Sequence, residues 1–257
     1  MNSITSGEDH AMAAAASLNR VELGGVYNVR DLGGWSGHDG RLVRRGMLFR
    51  ASSLHRLTNE SAWREFNATT VIDLRYAREI DAFPLPDFIA GPHHLPMLPD
   101  DWQARLDRNA IPASEFLASV YVDMLDLGGN TVAQSLQQLS VPDAYPAVFF
   151  CMAGKDRTGI LAAVVLTLLG VSEDDIIEDF HLSGDEVVAM VAALRDQEDF
   201  EAHPMMNQSE ELLRAPREAI EILLDHARST YGGLDRWVAR LGVPEATIER
   251  LQTILLG

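Results

Sequence analysis

One nine-residue string constrains this chain more than anything else in it. Cys151, Met152, Ala153, Gly154, Lys155, Asp156, Arg157, Thr158 and Gly159 follow one another, and they hold the only cysteine and the only lysine of 257 residues. Upstream, Ala147 to Phe150 reads as a buried strand, and downstream Gly159 to Leu169 reads as an apolar helix. The string is then a tight loop joining a strand end to a helix N-terminus. There the backbone N–H groups and the helix dipole converge on an anion and favour a thiolate. A cysteine six positions before an arginine suits such a loop as nucleophile and planar anion clamp. Most lone cysteines are buried structural thiols, but a structural thiol needs no arginine at that spacing and no glycine in the crook. Twenty arginines against one lysine look like a coding bias. Lys155 stands out against that bias, because arginine would serve most surface roles.

The bulk properties narrow the partners. A formal net charge of -17 argues against nucleic acid and against electrostatic adhesion to an anionic membrane. One cysteine excludes an intramolecular disulfide and most thiolate metal sites. His38, His55, His93, His94 and His226 show no metal-ligand spacing with acidic or thiol partners, so no metal and no cofactor are expected. The longest apolar run, Ile160 to Val171, is too short for a membrane span and suits a core helix. The first residues lack a basic n-region. Residues 1–18 are expected to be a frayed or disordered lead-in, residues 19–257 a single domain, and cytoplasmic residence is the default.

Along the chain the first half is strand-rich and the second helical. Leu42 with Val43 and Met47 to Arg50 suggest a hairpin around Arg45 and Gly46, and Thr69 to Leu74 is a β-branched run carrying Asp73 into Arg75. Helices are expected over Ser114 to Leu125, Val132 to Leu139, Gly159 to Leu169, Glu173 to His181, Asp185 to Arg195, Glu211 to Arg228 with a break at Pro216, Leu234 to Leu241 and Glu245 to Leu255. Ser172 and Asp175 have the spacing of a capping box, and the acidic run Glu173 to Asp175 is read as a solvated helix start. The class is α/β, a central sheet with helices packed around it. Gln197 to Gln208 is the least regular part of the helical half. Its position permits a flap, although an exposed loop broken by His203 and Pro204 is the simpler reading.

These residues together resemble a family. The loop is similar to the active-site loop of cysteine-based tyrosine phosphatases, and its Ala-Gly-Lys-Asp-Arg-Thr-Gly form resembles the atypical bacterial tyrosine and lipid phosphatases typified by a mycobacterial enzyme. Tyr27 to Gly34 (YNVRDLGG), Gly46 to Arg50 (GMLFR), Asp73 to Arg75 with Arg78 and Glu79, Tyr231 to Gly233 and the closing Gly242 to Gly257 follow the same pattern in order. The resemblance implies a phosphatase-like fold with a mainly parallel sheet and extra C-terminal helices that could form a flap. It implies hydrolysis of phosphotyrosine, extending to phosphoserine/threonine and phosphoinositides, with inorganic phosphate as product. Cys151 would attack phosphorus and form a cysteinyl-phosphate, Arg157 would bind two equatorial oxygens, and Thr158 would donate to the thiolate. The N–H groups of Met152, Ala153, Gly154, Lys155, Asp156 and Arg157 would line the phosphate, with Lys155 as a cation at the rim. Lysine and aspartate in this loop are shared with lipid phosphatases. Asp100, in a Pro-Asp pair, is the first choice as general acid, with Asp156 as the second choice or as base for the hydrolytic water. Asp73 and Arg75 would brace the loop from a neighbouring strand, with Arg30 and Asp31 doing likewise.

One departure stands out. The family has histidine before the nucleophile, and this chain has Phe150, which cannot donate a hydrogen bond. A slower first step follows, and a non-catalytic phospho-ligand module becomes a second reading. A rhodanese-like sulfurtransferase is a third, although the loop after Ala153 speaks against it.

Overall fold

The computed structural model describes residues 19–98, 112–195 and 209–257. Five strands form one sheet: β1 (Arg30–Asp31), β2 (Leu48–Ala51), β3 (Thr70–Asp73), β4 (His93–His94) and β5 (Ala147–Phe150), in the order β1-β2-β5-β3-β4. β1 is antiparallel to β2, while β2, β5, β3 and β4 are parallel neighbours. The register sets Ala51 and Asp73 on either side of Phe150. Cys151 therefore leaves the sheet at the carboxyl ends of three parallel strands, the edge where ligands bind in open α/β sheets.

Both faces are covered, which is why these strands read as continuous apolar runs rather than alternating ones. Leu48, Ile72, Ala147 and Phe149 join one large apolar cluster that also contains Cys151. Its helical side comes from α3 (Ala113–Leu139), α4 (Asp156–Leu168), α5 (Glu173–His181), α8 (Arg217–Tyr231), α9 (Leu234–Arg240) and α10 (Glu245–Leu255). Phe49, Ala51, Val71, Val148 and Phe150 face the other way, onto Leu54, Leu57, Ile89 and Trp63 of α1 (Glu60–Phe66). The remaining helices are α2 (Ala77–Ala82), α6 (Ser183–Leu194) and the short α7 (Glu210–Leu213). Among the described residues no helix is long and apolar enough to cross a membrane.

Two expectations fail for identifiable reasons. The hairpin around Arg45 and Gly46 does not form. Val43 exchanges hydrogen bonds with Gly34 and Trp35, Leu42 bridges to Ser36, and on the other side Arg44 N–H donates to Leu255 O at 2.7 Å and Gly257 N–H to Leu42 O at 2.9 Å, so this segment lies between residues 34–36 and the chain end. Gly46, at φ 74°, turns the chain, and its N–H is held by Asp31 Oδ2 at 2.6 Å. The two helices expected over Ser114 to Leu125 and Val132 to Leu139 are one, α3, running through Gly128 and Gly129. Both glycines are packing contacts rather than breaks: a Cβ at 128 would lie 2.6 Å from Met97 Sδ and 3.0 Å from its carbonyl oxygen, and one at 129 would lie 2.6 Å from Leu241 Cδ2. The break at Pro216 is present, between α7 and α8. The lead-in at residues 1–18 and the segment Gln197 to Gln208 lie outside the described residues.

Glycine to alanine inside a helix normally stabilises by about 0.5–1 kcal/mol. At position 128 the sign should reverse, because the methyl meets Met97 backbone as well as side chain, and overpacking costs about 1–3 kcal/mol. Urea unfolding of Gly128→Ala should show a loss of that size. Gly129→Ala should be nearly neutral, since only the end of Leu241 must move.

Candidate active site

The loop from Cys151 to Lys155 is shaped from outside. Met152 O accepts the Ser53 N–H at 3.1 Å. Asn28 Nδ2 donates to Ala153 O at 3.2 Å and to Gly154 O at 3.0 Å. Arg50 Nη2 donates to Gly154 O at 2.8 Å and to Lys155 O at 3.3 Å. In a planar trans peptide the N–H points opposite to the C=O. Holding four successive carbonyls on the outside therefore turns the N–H groups of Ala153, Gly154, Lys155 and Asp156 to the inner side, the arrangement that binds an anion. Gly154 is required for this curl. It sits at φ 71°, and a Cβ there would lie 2.4 Å from Ala51 O.

α4 begins at Asp156, three residues before the expected start, so Arg157 and Thr158 stand in its first turn. Arg157 is oriented by Glu79 of α2 through paired hydrogen bonds, Nη1 to Oε2 at 2.6 Å and Nη2 to Oε1 at 3.0 Å. Its guanidinium lies over the Tyr76 ring, 4.5 Å from the centroid. Burial is the largest single influence and lowers the Arg157 pKa, but the Glu79 charge, the nearby Cys151 and the hydrogen bonds to Glu79 together outweigh it and hold the guanidinium well above its ordinary value. For Glu79 burial pushes upward and is the largest influence, yet Arg157 brings the carboxyl below its usual range. The clamp is a charged, aligned fork.

The other sequence candidates fall in different places. Lys155 is not at a rim: it is 2% exposed. Its ammonium donates to Leu212 O, and to Arg214 O at 3.2 Å, and stands 3.4 Å from Asp156 Oδ1, tying the loop to the end of α7. Asp156 accepts the Tyr121 hydroxyl at 2.6 Å. Burial, then the Asp156 charge, push the Tyr121 phenol well above its ordinary value, so it stays a donor. Thr158 is fully buried, and among the described residues its hydroxyl has no hydrogen-bond partner, the thiol included. Asp73 and Arg75 pair with each other, Nη2 to Oδ2 at 2.7 Å, and Arg75 Nη1 donates to Phe83 O at 2.7 Å. Asp31 holds the N–H groups of Gly33 and Gly46 rather than the loop. Arg30 Nη1 donates to Asn28 Oδ1, so it acts on the loop through Asn28. Asp100 lies outside the described residues.

Phe150 sits on the sheet face opposite Cys151, and its ring lies under Arg75, 5.4 Å from the guanidinium carbon. The expectation of a missing donor beside the nucleophile does not match this geometry. Asn28, Arg50, Glu79, Tyr121, Asp179 and Ser183 were not picked out by residue-level reasoning. The motifs around Asn28, Arg50 and Glu79 carried the signal, whereas Asp179 and Ser183 stand in a helical stretch with no local mark.

A family model described as tyrosine phosphatase family matches residues 21–257. The chain belongs to the tyrosine phosphatase family. It is 27% identical to the triple specificity protein phosphatase PtpB of Mycobacterium tuberculosis, across 92% of this chain and 99% of that protein. It is also 27% identical to a tyrosine-protein phosphatase of Nostoc commune, across 54% of this chain and 49% of that protein. This tyrosine phosphatase is accordingly a phosphoric monoester hydrolase with phosphorylated substrates.

Phe150→His in this phosphatase should bury an imidazole in an apolar layer. A loss of about 1–3 kcal/mol in urea unfolding is expected, with no rise in turnover of p-nitrophenyl phosphate. Faster turnover at unchanged stability would show that position 150 reaches the nucleophile after all.

Proposed function

We propose that this phosphatase hydrolyses phosphotyrosine at the loop built around Cys151. The observation that carries the reading is that four consecutive carbonyls are held outward around the only cysteine, with Arg157 presented as an ionised fork by Glu79. Cys151 Sγ, as thiolate, forms a bond to phosphorus while the bond from phosphorus to the substrate oxygen breaks. Asp100 gives that oxygen its proton. The loop N–H groups and Arg157 stabilise the charge on the three equatorial oxygens, where preorganised donors contribute most. Water then attacks the cysteinyl-phosphate, the bond between sulfur and phosphorus breaks, and inorganic phosphate leaves. Asp156, already accepting a hydrogen bond from Tyr121, takes the proton from that water. The Thr158 hydroxyl, without another partner among the described residues, is available to the departing thiolate.

Cys151 is 1% exposed, and Met152 and Ala153 pack with Phe83, Val187, Met190, Val191, Leu194 and Leu213, so α6 and α7 lie against the loop. The name of the mycobacterial relative supports a range wider than phosphotyrosine. Lys155 does not add support for phosphoinositides, because its ammonium is engaged by the carbonyls of Leu212 and Arg214.

The test is turnover of a phosphotyrosine peptide beside phosphatidylinositol monophosphate. Cys151→Ser should abolish turnover of either, and Arg157→Ala should reduce it by roughly 10²–10³-fold or more, with the fold intact by circular dichroism. Faster turnover of the lipid than of the peptide would reverse the substrate assignment. Wild-type rates in either variant would remove the mechanism.

A further inference from the structure

Four carbonyls of the loop face outward, and three of them are held by the side chains of Asn28 and Arg50. Neither side chain is placed by its own segment alone. Arg50 is fully buried, and its Nε has no partner among the described residues. Arg50 Nη1 donates to Asp179 Oδ2, and Nη2 reaches Ser183 Oγ at 3.1 Å. Arg30, also buried, donates through Nε to Asp179 Oδ1 at 2.9 Å and through Nη2 to the Asp179 carbonyl and to Ser183 Oγ at 3.0 Å. The remaining Arg30 nitrogen, Nη1, donates to Asn28 Oδ1. That bond fixes which way the amide faces, leaving Nδ2 to donate to the loop.

We infer that Asp179 is a positioning residue for the phosphate loop, acting through Arg30 and Arg50 from α5. Among the described residues it is the only carboxylate paired with either guanidinium. Each of its oxygens holds one of them, and it is 2% exposed. Two buried guanidiniums side by side repel each other, and one carboxylate between them sets both orientations. Without it, Arg50 loses the partner that aims Nη2 at Gly154 and Lys155, and Arg30 loses the partner that aims Nη1 at Asn28. The two guanidiniums that it orients also donate to Ser183 Oγ at the start of α6, so the loop and α6 meet at one buried charged cluster.

The inference rests on the reading of the loop as a phosphoryl cradle, and the test separates the two. Asp179→Asn in the full chain is assayed by turnover of p-nitrophenyl phosphate and by competitive inhibition with orthovanadate. The kcat/KM should fall, and the orthovanadate Ki should rise, each by roughly tenfold to a hundredfold. Asp179→Glu should recover part of the loss. Should Asp179→Asn fail to fold, the pair Arg30→Met with Asp179→Asn removes one charge of each sign and should show the same rise in Ki. A purely structural role lowers the folded fraction without changing the affinity of what is folded. An unchanged Ki in a folded variant therefore overturns the inference, whatever the melting temperature does. A wild-type protein that neither turns over the ester nor binds orthovanadate overturns the phosphatase reading and this inference with it.

Discussion

The outward pull on the carbonyls of Met152, Ala153, Gly154 and Lys155 is the constraint on which the rest of the site depends. A loop of small residues has no intrinsic reason to hold its N–H groups inward, and conformational entropy opposes it. The order comes from groups distant in sequence: Ser53 backbone, Asn28 and Arg50. Because those donors sit on the outer side, the inner side is left to whatever anion the N–H groups face. The thiol at the end of β5 and the fork of Arg157 then need only be delivered to the same place, and the strand and the first turn of α4 do that.

Charge is handled differently at the two edges of the loop. Burial, with Arg30 adding, lowers the Arg50 guanidinium to about 10, while Asp179 works against that shift. Arg50 is still protonated at neutral pH. Burial pushes the Asp179 carboxyl upward, but Arg30 and Arg50 together bring it below its ordinary range. The Arg157 and Glu79 pair repeats this logic with one cation instead of two. Burying such groups stabilises little by itself, since desolvation offsets most of the attraction. What it provides is fixed direction, and direction is what a phosphoryl clamp requires.

How much was legible in the sequence follows from how local each determinant is. The strand, loop and helix around Cys151 could be read because periodicity and spacing are local, and the helix break at Pro216 could be read for the same reason. The gap expected between Leu125 and Val132 is helix, and its Gly128 and Gly129 serve contact with Met97 and Leu241, which a local pattern does not contain. Leu42 and Val43 look like half of a hairpin with Met47 to Arg50, yet their partners are Gly34 to Ser36 and the chain end. Lys155 was expected at the rim because a loop lysine beside a phosphate is the obvious pairing. Its actual partners are backbone carbonyls, which leave no trace in residue identity. Asp179 was hidden in an acidic amphipathic helix, where one more carboxylate looks like surface.

If Cys151 carries the phosphoryl group between substrate and water, it is phosphorylated during turnover. Rapid acid quench of the enzyme acting on a phosphotyrosine peptide, followed by mass spectrometry of the peptide containing Cys151, reads this. One added phosphoryl group is expected on that cysteine within the first turnover, accumulating further when Asp156 is changed to Asn. Full turnover with Cys151 unmodified at every quench time, or a phosphoryl group on another residue, would contradict that role.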